Sequence, residues 1–300
     1  MNRFAGIWIP LITPLRDDVV DQAALTRLVR HYLDAGVHGF VVCGTTGEPA
    51  TLSAHERLQV LDCVLAAADT RAPVVMGISG NDTKSVVAAV QALAARPIAG
   101  VMLTAPYYTR PSQAGLHAHF SAVAASTDLP ILLYNIPYRT GVCIDVDTVQ
   151  RLSELPNVVA IKDSGGDLDR MMDLIRNTGM QVLCGEDHLI FPSLCLGAHG
   201  AIAAAAHLHP RRFVELYAAV AAGNLRAARV LSYRLLPLVR ALFCEPNPGP
   251  IKAALAAQGW ISEELRLPMT AATAVGRARV LAALDAFQSC DAEPASGTLT

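Results

Sequence analysis

The chain alternates two kinds of segment, and it does so eight times. Short apolar runs flanked by Gly or Pro fall at 6–12, 39–43, 73–78, 100–103, 131–134, 158–161, 181–184 and 200–203. Between them lie longer stretches with apolar residues three and four apart, at 25–36, 53–65, 82–95, 112–126, 145–155, 168–177, 188–196 and 210–222. The first stretch carries Leu25, Leu28, Val29, Tyr32 and Leu33 on one stripe and closes at Gly36, as a helix does at a left-handed cap. The second opens with Ser53 and Glu56, the spacing of a capping box, and shows Leu58, Leu61 and Leu65 on one face. Strict strand–helix alternation implies a parallel sheet covered by helices. Continuous apolar runs fit strands buried on both faces. Eight units of about 28 residues favour an α/β fold of the (β/α)8 TIM-barrel type over an open sheet. No Gly-x-Gly-x-x-Gly follows the first run, which weakens a dinucleotide-binding alternative.

After Gly223 the strand signals stop, and 225–243, 251–258 and 271–287 read as helices. The expected division is a barrel over residues 1–222, a carboxyl-terminal helical region over 223–288 and a polar tail over 289–300. Composition then excludes several classes. Apolar residues make up 52% and charged residues 17% of the 300, the opposite of a disordered chain. Lys plus Arg total 24 against 26 Asp plus Glu, without the basic excess of a nucleic-acid binder. The mean hydropathy of +0.36 invites a membrane reading, but no segment approaches the ~20 continuous apolar residues of a spanning helix. The start, 1–7, lacks a basic region with an apolar stretch, so no signal peptide is expected. Seven scattered cysteines without a Cys-x-x-Cys pair read as small buried hydrophobes in a reducing cytoplasm.

A barrel of this kind carries its site on the loops after the strands. The second run ends in Gly44-Thr45-Thr46-Gly47-Glu48, the fourth in Thr104-Ala105-Pro106-Tyr107-Tyr108, the fifth in Tyr134-Asn135 and then Arg139-Thr140-Gly141, the sixth in Lys162-Asp163. If Val158 and Ala160 point inward, period two points Lys162 inward as well. Desolvation at an apolar barrel mouth favours the neutral amine, which can attack a ketone and form a Schiff base. The bland alternative is a strand-end lysine reaching to solvent. Tyr134 ends the neighbouring strand and could shuttle protons. It could equally be an aromatic filling the barrel top. The hydroxyls and close N–H groups at 44–47 suit a small carboxylate, though a plain turn has the same look. Arg139 could clamp a second carboxylate or be a surface arginine. The His-x-His pairs His117/His119 and His207/His209 raise a metal-dependent barrel hydrolase. The first pair lies on a helix, where residues two apart face different ways. The second lacks matching acidic and histidine ligands after the first strand. No metal is expected.

The motifs Gly44-Thr45-Thr46-Gly47-Glu48, Pro106-Tyr107-Tyr108, Tyr134-Asn135-Ile136-Pro137 and Ile161-Lys162-Asp163 together resemble the dihydrodipicolinate synthase / N-acetylneuraminate lyase family of class I aldolases, from about residue 6 to 284. The resemblance implies that Lys162 forms an imine with pyruvate, with no separate cofactor, and that Tyr134 donates and accepts the proton. It implies that Thr45 and Tyr108 complete a relay, Tyr108 crossing into a neighbouring subunit's site, so at least a dimer and usually a tetramer. It implies that Thr46 holds the pyruvate carboxylate and that the backbone of Ile202 touches pyruvate.

Within the family, Arg139-Thr140-Gly141, Arg110-Pro111-Ser112-Gln113 and Glu245-Pro246-Asn247-Pro248 resemble the synthase branch, in which the arginine binds the carboxylate of L-aspartate 4-semialdehyde. Asp163-Ser164 departs from the Glu-Ala common there and resembles relatives acting on other 2-oxo acids. An aldolase or dehydratase of another 2-oxo acid or sugar acid is therefore the second reading. A non-catalytic sensor of 2-oxo acids is a third, against which the Lys162, Tyr134 and Thr45 set argues. Lysine-inhibited members resemble this chain at Asn81 and Tyr107 but not at Pro49, Ala54, Arg57 and Ser85, which implies weak or absent lysine feedback.

Overall fold

The computed structural model describes residues 4–292. Eight parallel strands close into a barrel: β1 (Gly6–Pro10), β2 (Gly39–Val42), β3 (Val74–Ile78), β4 (Gly100–Thr104), β5 (Ile131–Asn135), β6 (Val158–Asp163), β7 (Gln181–Cys184) and β8 (Gly200–Ile202). β8 pairs with β1 to complete the ring. The eight-unit alternation is therefore a (β/α)8 barrel, as the sequence implies.

Side-chain alternation along buried strands builds two cores. Trp8, Val41, Val75, Met102, Leu132, Ala160, Leu183 and Ile202 point inward and fill the barrel with Phe4 and Tyr134. Their neighbours, such as Ile9, Phe40, Leu133, Ile161 and Val182, point outward into a larger layer against the helices. A strand sandwiched between these layers must be apolar at every position, which is why the runs show no alternation.

Val158 packs in the outer layer, not inward. The β5–β6 register shifts between Ile131 and Leu132, so that Ile131 faces Val158 and Leu132 faces Ala160. Val159 is the extra residue of this bulge and packs against the interior cluster. Period two resumes from Ala160, and Lys162 does face inward.

The helices follow with small shifts. Gln22–Asp34 buries the expected stripe, and Gly36 takes a positive φ of 85°. The Ser53/Glu56 capping box is present, but the helix Ala54–Ala68 buries Val60, Leu61 and Val64, while Leu58 and Leu65 are only partly covered. The stretch expected at 188–196 is a short turn, Asp187–Leu189, followed by the helix Ile190–Cys195. A two-stranded ribbon, Leu15–Arg16 with Val19–Val20, is too short to show a period. Beyond Pro210–Ala221 the helices Leu225–Leu242, Gly249–Ala257 and Ala274–Ala292 pack on one another and on the barrel. The last helix runs past 288, into the expected tail, and 293–300 lie outside the described residues.

Of the six cysteines with described side chains, Cys43 and Cys184 are buried and Cys63, Cys143 and Cys244 partly so. Cys195 is exposed, against the expectation of burial; Cys290 lies outside the described side chains. Among the described residues no helix is long and apolar enough to cross a membrane.

Candidate active site

Tyr134 and Lys162 are register partners at the carboxyl ends of β5 and β6. Lys162 is 6% exposed, so the solvent-reaching alternative fails. Its Nζ lies over the Tyr134 ring, 4.2 Å from the centroid. The next register pair, Asn135 and Asp163, turns outward and fastens the two strand ends. Asn135 Nδ2 donates to Asp163 Oδ1 at 2.7 Å, and Arg170 Nε donates to the same oxygen at 2.9 Å. Arg170 also donates to the carbonyl of Ile144 at 2.7 Å.

A cavity of about 470 Å³ opens at Tyr134, lined among others by Thr45, Glu48, Tyr107, Arg139 and Asn247. Thr45 enters it from a single 3-10 turn, Thr45–Gly47, that follows β2. A Cβ on Gly47 would meet the carbonyl of Leu11 at 2.9 Å, so only glycine lets the loop lie this close to β1. Thr46 is buried and accepts a hydrogen bond from Asn247 Nδ2 at 2.9 Å. Arg139 sits on the one-turn helix Pro137–Thr140, exposed, with its guanidinium 5.6 Å from the Tyr138 ring. The Arg110-Pro111-Ser112-Gln113 segment fastens this loop. Arg110 Nε donates to Gly141 O at 2.9 Å, and Gln113 Nε2 to Cys143 O at 2.8 Å.

The remaining candidates are placed differently. Ile202 is buried in the barrel interior. Tyr108 is 89% exposed, with φ 67°, and does not line the cavity. His207 has both ring nitrogens engaged: Nε2 accepts from Ile12 N at 3.1 Å and Nδ1 donates to Ala204 O at 2.7 Å. Burial pushes it down to about 4. His119 is hydrogen-bonded to Thr83 Oγ1 at 2.9 Å. These histidines are structural.

Two carboxylates beside Lys162 were missed. Burial raises Glu186 to about 7, the Asp187 charge adds to this, and the Lys162 ammonium opposes it. Burial raises Asp187 to about 6, opposed by a 2.5 Å hydrogen bond from Ala205 N and again by Lys162. Gly185-Glu186-Asp187 follows β7 directly. It stands where the strand-end rule looks, and the loop after strand seven was the signal overlooked. An amine packed on a phenol, two carboxyl groups near neutrality and hydroxyls across a cavity can move protons around a carbonyl bound to the amine.

The model of the dihydrodipicolinate synthetase family matches residues 3–287. The 4-hydroxy-tetrahydrodipicolinate synthase of Syntrophobacter fumaroxidans is 39% identical over 287 residues, covering 95% of this chain and 99% of that protein. The structure of the 4-hydroxy-tetrahydrodipicolinate synthase of Methylacidiphilum fumariolicum SolV superposes with a TM-score of 0.93 at 38% identity, covering 95% of this chain and 96% of that one. A monomeric dihydrodipicolinate synthase variant superposes with a TM-score of 0.94 at 34% identity, covering 95% and 97%. Matched over nearly its whole length, the chain belongs to the dihydrodipicolinate synthetase family.

Proposed function

We propose that this chain is a 4-hydroxy-tetrahydrodipicolinate synthase, a carbon–carbon lyase of the class I aldolase type. The observation that carries the reading is the buried Lys162 ammonium over the Tyr134 ring at the mouth of the barrel. The substrates of this reading, pyruvate and L-aspartate 4-semialdehyde, are those implied by the motif resemblance, and they fit the product for which the relatives are named.

The Lys162 amine adds to the pyruvate carbonyl, a C–N bond forms and water leaves. The resulting iminium is the electron sink, so this step needs no metal or other cofactor. Tyr134 moves the protons of imine formation and helps remove one from the pyruvate methyl group. Thr45, and Tyr108 contributed to the site of a neighbouring copy, complete the relay. The enamine then attacks the aldehyde carbon of the semialdehyde, and cyclisation with transimination frees Lys162. Thr46 and the loop backbone hold the pyruvate carboxylate, the backbone of Ile202 touches pyruvate, and Arg139 holds the carboxylate of the second substrate. The exposure of Tyr108 supports its reaching into a neighbouring copy, hence at least a dimer, and a homotetramer built from dimers belongs to the same reading by resemblance. A cytoplasmic location, and the division into barrel and helical regions at about residue 222, belong to the same reading.

Borohydride reduction in the presence of pyruvate, followed by peptide mass spectrometry, tests it. The pyruvyl adduct is expected on Lys162. Turnover without an adduct on that lysine would defeat the mechanism. Comparing aspartate semialdehyde with sugar-derived aldehydes separates the synthase from its aldolase relatives.

A further inference from the structure

Glu48 ends the Thr45-Thr46-Gly47 turn in the left-handed region, with φ 55°. A residue with a side chain is held there at a cost, and the structure shows what holds it. Glu48 is 6% exposed, and its Oε1 lies 2.5 Å from Nζ of Lys252. Lys252 comes from the helix Gly249–Ala257 in the carboxyl-terminal segment and is wholly buried. It also donates to the carbonyl of Glu264 at 2.8 Å. Five residues before it, Asn247 donates to the Thr46 hydroxyl. On the other side, Thr13 Oγ1 donates to Gly47 O at 2.7 Å.

A buried ion pair is a poor way to gain stability, because desolvating both charges offsets their attraction, and an apolar pair of similar volume often serves as well. What such a pair does supply is one defined position for each partner. Here one partner is the last residue of the loop that carries Thr45 and Thr46, and it lines the cavity. Burial drives Lys252 toward its neutral form, and the Glu48 charge opposes this.

We infer that Glu48 and Lys252 are positioning residues. Their buried pair fixes the Thr45-Thr46 backbone at the cavity, so the carboxyl-terminal helices set the aim of the carboxylate-binding loop through a contact outside the reacting atoms. The inference rests on assigning that loop to the carboxylate of the 2-oxo acid.

The test compares borohydride trapping at Lys162 with pyruvate and with acetone, a ketone that lacks the carboxylate. Three variants are used: Glu48→Gln, Lys252→Met and the double Glu48→Gln/Lys252→Met. Each is checked for native circular dichroism. The half-saturating pyruvate concentration is expected to rise about tenfold to a hundredfold in all three, with the acetone dependence changed by less than about twofold. Equal losses for both ketones, or no change for either, mean a structural staple and overturn the inference. So does a double variant that regains the wild-type pyruvate dependence. If Lys252→Met does not fold, Glu48→Gln reads the same ratio with a near-isosteric change. A wild-type protein that forms no pyruvate adduct defeats the functional reading itself, and this inference with it. A wild-type adduct with an unchanged ratio in the variants defeats the inference alone.

Discussion

The Lys162 side chain packs close against Gly185 of the loop after β7. A Cβ added to Gly185 would lie 2.8 Å from Lys162 Cε and 2.1 Å from Ser164 Oγ. Both distances are shorter than side-chain carbons tolerate, and the Gly185 amide is tied to Asp163 O at 2.8 Å. The lysine must move, because the loop beneath it is held. Gly185→Ala is expected to cost only about 1–3 kcal/mol of stability, as overpacking does, yet to lower kcat/KM for pyruvate about a hundredfold by displacing the amine. Unfolding in urea and steady-state kinetics measure the two effects. A variant as active as wild type would show that Lys162 has room the structure does not give it.

Much of this site could be read from the sequence because strand ends announce themselves. Thr45, Tyr134 and Lys162 follow apolar runs, and the barrel rule places everything after such runs on one face. What stayed hidden depends on contacts remote in sequence. Asn247 meets Thr46, and Lys252 meets Glu48, across about two hundred residues, and no local pattern encodes that distance. The bulge at Val159 was invisible for another reason: β6 is apolar on both faces, so an extra residue leaves no break in the run. The Asp163-Ser164 departure looked like a mark of substrate choice. In the structure the Asp163 side chain is bound to Arg170 and Asn135, where it fastens strands.

Glu186 should make the protein less stable as pH rises through the neutral range. Its carboxyl lies at about 7 in the folded protein against an ordinary value of 4.5. Between those values the folded state binds more proton than the unfolded state, so unfolding free energy falls with increasing pH. His207 acts in the opposite sense. At about 4 when folded against 6.5 ordinarily, it loses stability as pH falls through that window. The two are separated by subtraction. Glu186→Gln is expected to gain on the order of 2 kcal/mol over wild type at pH 8, and to show no gain below about pH 4.5, where wild-type Glu186 is protonated in both states. Urea unfolding across this range measures it, and a difference independent of pH would remove Glu186 from the account.

Arg57 bears on regulation. It lines the same cavity as Tyr107, whose backbone N–H donates to Asn81 Oδ1 at 3.1 Å. Arg57 is one of the positions at which the motif resemblance implies a departure from lysine-inhibited members. A guanidinium at this cavity wall would repel the ammonium of a lysine entering it. Initial rates with millimolar L-lysine are expected to match those without it, and a halved rate would reverse this conclusion.

The Asp163–Arg170 pair offers the sharpest test of how the catalytic strand end is held. The Arg170 side chain is 12% exposed and that of Asp163 1%. Removing the arginine leaves a carboxylate buried with one amide donor from Asn135 and a 3.2 Å bond from Gly165 N. Arg170→Met is therefore expected to cost about 3–5 kcal/mol, the penalty of an uncompensated buried charge. Asp163→Asn/Arg170→Met removes that charge and should recover most of the loss, because the two sites are coupled. Lys162 is the residue before Asp163, so the single variant should also trap less pyruvate at equal protein concentration. Urea unfolding of both variants decides the matter. A single-variant cost below about 1 kcal/mol, the value of an exposed pair, would mean that water reaches Asp163.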